Sequence, residues 1–248
     1  MAAYPRRAFL RQGVIVKAYT RLSLAARVFS RGKNMMTIAK INAESGSPYA
    51  VTPTLFMVQK WIATLKEKTG RSLDEWLALI KKQAPKDEKA CIDWLKSLHK
   101  LGTNTARFLA ERAAGKNPEE DDPEIYLATA LRYVDEQYSG AKSALRPIYE
   151  HLLELGKSIS IDVKACPCKT MVPFYRNHVF AQVKPSTNTR VDLGFALAHH
   201  SGKLPKRLID TGGLAKKDRI THRIEIKSAA EIDDEVKRWL KIAYDLDA

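Results

Sequence analysis

After Gly156 the apolar residues of this 248-residue chain stop recurring every three or four positions and begin to recur every second one. The first spacing buries one stripe of a helix, and the second buries one face of a pleated strand. A chain that changes from one to the other midway, and closes on a further helical stripe, is expected to be α+β. The expected architecture is a small helical bundle followed by an antiparallel sheet domain with helices packed on one face.

The helical half is read from four stripes. Leu55, Val58, Ile62 and Leu65 share one face, and Gly70 stops that helix. Ser72 opens S-L-D-E, a capping box in which Ser72 and Glu75 each satisfy a free backbone N–H, ahead of Leu73, Trp76, Leu77 and Ile80. Cys91, Trp94, Leu95 and Leu98 form a third stripe, and Ala106, Leu109, Ala110 and Ala113 a fourth. Trp61, Trp76 and Trp94 read as core aromatics, Cys91 as an inert buried thiol, and His99 as a helix-end residue favoured by the dipole. "GKNPEEDDPE" at Gly115 to Glu124 marks a domain boundary, and Asp122–Pro123 suits a helix start. The expected units are an N-terminal extension at 1–50, a helical domain at 51–115 and an α+β domain at 122–248.

In the second unit Leu127, Leu131, Val134 and Tyr138 form one stripe. Ala141, Leu145, Ile148, Leu152 and Leu155 form another, with Pro147 predicting a kink or a late start. Strands are expected at "ISIDV", "KTMVPFYR", "HVFAQVK", "TRVDLGFAL" and "RITHRIEI". Val191, Leu193, Phe195 and Leu197 face one way, Arg190 and Asp192 the other. Ile220, His222, Ile224 and Ile226 alternate against Thr221, Arg223 and Glu225. The closing helix carries Ile232, Val236, Trp239, Leu240 and Ala243.

The net charge of +14 suggests an anionic partner, but its distribution qualifies this. Nine basic residues and no acidic one lie between Met1 and Ala43, leaving +5 for Glu44 to Ala248. The first segment lacks the apolar stretch of a secretory signal. It reads as an upstream start ahead of a native Met35 or Met36, as a basic arm without fixed structure, or as an organelle transit peptide. No apolar run reaches the roughly 20 residues of a membrane helix, so no membrane association is expected. Three cysteines make no disulfide framework, which points to a reducing compartment and a cytoplasmic location.

Several motifs, in order, carry a family resemblance. "KEKTGRSLDEW" and "WLKSLHKLGTNTA" resemble a short bacterial helical domain of unknown function marked by K-T-G-[KR]-[ST]. "CKTMVPFYRNHVFAQVKP", "TNTRVDLGFAL", "THRIEI" and "EIDDEVKRWLKIAY" are similar to a C-terminal α+β domain of unknown function that commonly follows it. The resemblance implies the two-domain organisation and names no activity. The second domain is also found on nuclease-like and restriction-type proteins, and its layout resembles the small domain of a frataxin-like iron chaperone. Cys168 stands where the family pattern carries a basic residue.

No G-x-S-x-G, H-E-x-x-H, P-loop or G-x-G-x-x-G occurs, so no catalytic residue and no cofactor is expected. Cys166 and Cys168 are too close for an easy disulfide and lack zinc spacing, and they read as a strand entry with two incidental thiols. Lys164 and Lys169 would lower their pKa values if the thiols were exposed. His199 and His200 point apart on an extended chain, and "DTGG" at 210–213 reads as a turn. The remaining constellation is polar: Lys169, Tyr175, Arg176, Lys184, Arg190, Asp192 and Arg223. Arginine forks suit phosphate, and an open basic sheet face suits a single strand or nucleotide. The competing reading is a solvated face with cross-strand Arg–Asp pairs. The expectation is a non-enzymatic protein binding nucleic acid or another anion through this face. The alternatives are a metal- or iron-handling protein using Cys166 and Cys168, and an interaction module whose helical domain docks a protein.

Overall fold

The structure, a computed structural model, describes residues 46–248. The readings of the basic first segment lie outside the described residues. Thr52 caps α1 (Pro53–Ala63) by accepting the Thr54 N–H, with proline at the first helical position. The helix breaks at Thr64, so the four-residue stripe from Leu55 to Leu65 is divided between α1 and α2 (Leu65–Thr69). Gly70 ends α2 at φ 80°, and the expected Ser72–Glu75 capping box opens α3 (Leu73–Gln83). The Trp76 indole N–H donates to Thr69 Oγ1 at 2.8 Å, while that hydroxyl donates to Leu65 O at 2.7 Å. The K-T-G-R-S step is therefore a tight helix joint held by one threonine.

Helices α4 (Glu88–Ser97) and α5 (Thr103–Ala113) complete the bundle. Its core is Leu65, Trp76, Ile80, Cys91, Leu95, Ala106, Leu109 and Ala110, with Trp61 and Trp94 partly buried against it. His99 corrects its expectation. It packs edge-on against Trp76 and Trp94, and burial followed by the Arg71 charge lowers its pKa, which disfavours the cation a helix dipole would hold.

The acidic connection is anchored. Asp121 pairs with Arg112 at 2.7 Å, its carbonyl accepts Gln59 Nε2 at 2.7 Å, and Glu119 accepts the Tyr133 hydroxyl. Asp122 then caps α6 (Pro123–Gln137). The α6 face turns further than expected: Tyr126, Leu127, Ala130, Tyr133 and Val134 are buried, whereas Leu131 is exposed. A 3₁₀ turn at Gly140–Leu145 precedes α7 (Arg146–Ser158), which has Pro147 in its first turn, the late start that proline predicts. The expected strand at "ISIDV" is absent. Helix α7 runs to Ser158, and Ile159 and Val163 pack on the larger core while Ile161 between them is fully exposed, so the three do not share one strand face.

The strands are β1 (Lys164–Ala165), β2 (Val172–Tyr175), β3 (Val179–Lys184), β4 (Val191–Phe195), β5 (Ile209–Asp210) and β6 (His222–Ile226). All pair antiparallel in the order β1-β2-β3-β4-β6-β5, and β5 is a two-residue edge strand that no pattern announced. The fold is α+β. Val172, Phe174, Ala181, Val183, Leu193, Phe195 and Ile224 fill one face at zero exposure, covered by α7 and by α8 (Asp234–Asp245). Gly156 of α7 passes so close that a Cβ there would lie 2.4 Å from the Phe174 ring.

The segment before α1 also belongs to this larger core. Tyr49, Val51 and Leu55 are buried in it, Ala50 N–H donates to Ala165 O at 2.9 Å, and the Tyr149 hydroxyl donates to that of Tyr49 at 2.9 Å. Helix α1 thus leaves one core and α2 enters the other, within one compact unit.

Candidate anion-binding site on the outer sheet face

Alternation turns Gln182 and Lys184 of β3, Asp192 and Gly194 of β4, and Arg223 and Glu225 of β6 away from the helices. The registers set Gln182 opposite Gly194 and Gly194 opposite Arg223, then Lys184 opposite Asp192 and Asp192 opposite Glu225. Gln182, Lys184, Asp192, Gly194 and Arg223 of these rows floor a hollow of about 220 Å³ that Ser186, Arg190, Thr211 and Ile220 close at its sides. Gly194 is required there, because a Cβ would lie 2.6 Å from Ile220 Cγ2 and 3.1 Å from Gln182 Cγ.

Two guanidiniums and two carboxylates form a ring. Arg190 Nε lies 2.8 Å from Asp192 Oδ1, and Arg190 Nη1 lies 2.9 Å from Glu225 Oε1. Arg223 Nη2 lies 3.1 Å from Glu225 Oε1, and its Nη1 lies 3.6 Å from Asp192 Oδ2. The Ser186 hydroxyl donates to Asp192 Oδ2 at 2.7 Å. Proximity is not alignment: the buried Arg190 Nε, Arg223 Nε and Asp192 Oδ1 have no hydrogen bond of acceptable geometry. Among the described residues, the Lys184 ammonium has neither an ion pair nor a hydrogen bond. The ring alone is neutral, and Lys184 makes the hollow positive.

Four of the seven residues singled out from the sequence meet here: Lys184, Arg190, Asp192 and Arg223. The other three lie elsewhere. Arg176 stacks over the Tyr244 ring at 4.4 Å and donates to Tyr244 O at 3.3 Å, pinning α8. Tyr175 hydrogen-bonds Thr52, the N-cap of α1, and Thr54 in its first turn, and burial raises its pKa. Lys169 reaches Asn117 Oδ1 at 3.5 Å. Ser186, Gln182 and Thr211 were not anticipated, because loops bring in two of them and an uncharged strand residue carries no signal. Glu225 was visible as an outward strand position.

The cysteine pair continues the β1–β2 hairpin: Cys166 N–H donates to Pro173 O at 3.0 Å and Cys168 N–H to Met171 O at 2.8 Å. Cys166 is fully buried, and burial, with Cys168 second, pushes its thiol far up, while the opposing effect of Lys164 is smaller. Cys168 is exposed as a residue, yet burial raises its thiol too. Among the described residues no group of three or more His, Cys, Asp or Glu is placed to hold a metal ion. Likewise no helix of the described residues is long and apolar enough to cross a membrane.

Residues 57–114 match the family described as Domain of unknown function (DUF4287), and residues 134–247 match Domain of unknown function (DUF5655). The two matches lie in that order along the chain. Comparison with curated proteins and with solved structures finds no match.

Proposed function

We propose that this two-domain chain acts by binding rather than by catalysis, and that the outer face of its C-terminal sheet takes the phosphate of a nucleic acid or nucleotide. One observation carries the reading. Two buried arginine N–H groups without aligned acceptors lie around one hollow together with an unpaired lysine. Buried donors in native structures are almost always satisfied, so an oxyanion is the natural complement. Asp192 Oδ1, an acceptor without an aligned donor, suits a hydroxyl hydrogen on the same ligand. The hollow has no aromatic lining, so base stacking is not part of the reading. A chain end carrying a phosphate fits a space of about 220 Å³ better than the interior of a strand.

The test compares 5′-phosphorylated and 5′-hydroxyl single-stranded oligonucleotides at two salt concentrations, using the whole chain and its Lys184→Gln and Arg223→Gln variants. The basic first segment contributes equally to all three proteins and cancels. Tighter binding of the phosphorylated strand, lost in both variants with a salt slope shallower by about one unit, is the expected result. Equal binding of both strands by all three proteins overturns the proposal and leaves the ring as a cross-strand tie.

A further inference from the structure

A second hollow, of about 180 Å³, lies where the end of β4 meets the end of α8, and it shares no residue with the first. Its wall is apolar: Ala196, Ala198, Leu214, Ala243 and Leu246. Small side chains at three of these five positions are what leave the space open. The volume lies below the range of drug-sized pockets and suits a molecule of amino-acid size.

The polar groups at this hollow are of two kinds. The buried Asp247 is already served: it accepts the His178 N–H at 2.7 Å, and Nδ1 of His178 and the Arg219 guanidinium also lie against it. That pairing takes Asp247 and Arg219 out of play. His199 stands at the rim, and the two remaining charges are consecutive, Lys217 and Asp218. Among the described residues, neither of these two side chains has a hydrogen-bond or ion-pair partner. The hollow thus offers one free cation, one free anion and an apolar wall.

The backbone adds an independent observation. Lys217 sits at φ 56°, a left-handed conformation that disfavours a long side chain and that glycine adopts freely. It ends a tight turn in which Lys217 N–H donates to Leu214 O, and Asp218 N–H to Gly213 O. A turn of this kind favours glycine, and within the described residues the Lys217 side chain makes no hydrogen bond or ion pair that would offset the strain.

We infer that this hollow binds a free α-amino acid with an aliphatic side chain. Its carboxylate would meet Lys217, its ammonium Asp218, and its side chain the alanine and leucine wall. Both charges are exposed, so a purely anionic or cationic ligand gains from one of them while the other stays hydrated, whereas a zwitterion gains from both. The inference is independent of the phosphate reading, since the two sites have no residue in common.

Three probes of matched body separate the contributions: norleucine, hexanoate, which lacks the ammonium, and pentylamine, which lacks the carboxylate. Each is titrated calorimetrically into the whole chain. Norleucine is expected to bind up to about fivefold more tightly than either of the others, the worth of an exposed ion pair. Lys217→Gly should leave the thermal midpoint equal or higher while norleucine falls to the level of pentylamine. Asp218→Asn should bring it to the level of hexanoate, and Ala198→Trp, at an exposed position of the wall, should abolish binding. Norleucine binding no tighter than its two analogues, or not at all, overturns the inference, as does full norleucine affinity in a folded Lys217→Gly chain.

Discussion

Gly156 sets two physical rules against each other. It lies inside α7, where replacing glycine by alanine ordinarily stabilises by about 0.8–1 kcal/mol. At this site a Cβ would stand 2.4, 2.8 and 2.9 Å from three carbons of the Phe174 ring. Carbon atoms pack best at about 3.5–4.0 Å, so the ring or the helix must move by roughly 1 Å. Phe174 has zero exposure and is flanked by Ala165 on β1 and Ala181 on β3, so the ring has no solvent to move into. Overpacking of this kind costs typically 1–3 kcal/mol and sometimes more, and the severity of the overlap places it at or above the top of that range. Gly156→Ala is therefore expected to destabilise by about 2 kcal/mol net. In a unit of this size that lowers the thermal midpoint by about 4–8 °C. Urea unfolding followed by circular dichroism measures it, and Phe174→Leu in the same background should return part of the loss as a coupling energy. A Gly156→Ala chain as stable as the parent, or more so, would refute the close approach of α7 to β2 and with it the packing argument.

Thr69→Val keeps the shape of the α2–α3 joint but removes the acceptor of the buried Trp76 indole N–H, and a loss of about 1–3 kcal/mol is expected in urea titration. Cys166 should resist thiol reagents at pH 8 in the folded chain and react in denaturant, since burial raises its pKa; rapid native-state labelling would contradict the hairpin placement. The Asp233 carboxylate is held below its ordinary value by the Val236 N–H that it caps and, after the opposing effect of burial, by Arg207. A depressed folded-state pKa gives stability that is complete above the ordinary carboxylate value and is lost as pH falls through the folded one. The parent should therefore lose stability more steeply than Asp233→Asn below about pH 4, with parallel curves above pH 5. Identical acid limbs would dismiss the contribution.

The chain's periodicity, caps and turn residues sufficed for the α+β class, for the box at Ser72 and Glu75, for the late start at Pro147 and for four of the strands. Each of these is a local matter: one face to bury, one cap to satisfy, one dihedral already set by a ring. The same local reasoning placed a strand at Ile159–Val163, where the chain leaves α7 through a turn and pairs with no strand, although Ile159 and Val163 still pack on the larger core. It also treated the stripe from Leu55 to Leu65 as one helix face, although Tyr49, Val51 and Leu55 pack beneath Tyr149 in the other core.

At the candidate site, alternation alone placed Arg190, Asp192, Arg223 and Glu225 outward from the core. Strand register, loop return and helix docking are non-local, and only they decided which outward residues meet. Register set Lys184, Asp192 and Glu225 in one row, the loops delivered Ser186 and Thr211, and Arg176 went to α8 instead. Lys217 and Asp218 show the same division. The sequence shows two adjacent charges in a basic loop, while the meeting of β4 with α8 puts an apolar hollow beside them. Hydrophobic period is a property of neighbours in the chain, whereas a site is made by neighbours in space, whose chain separations no period encodes.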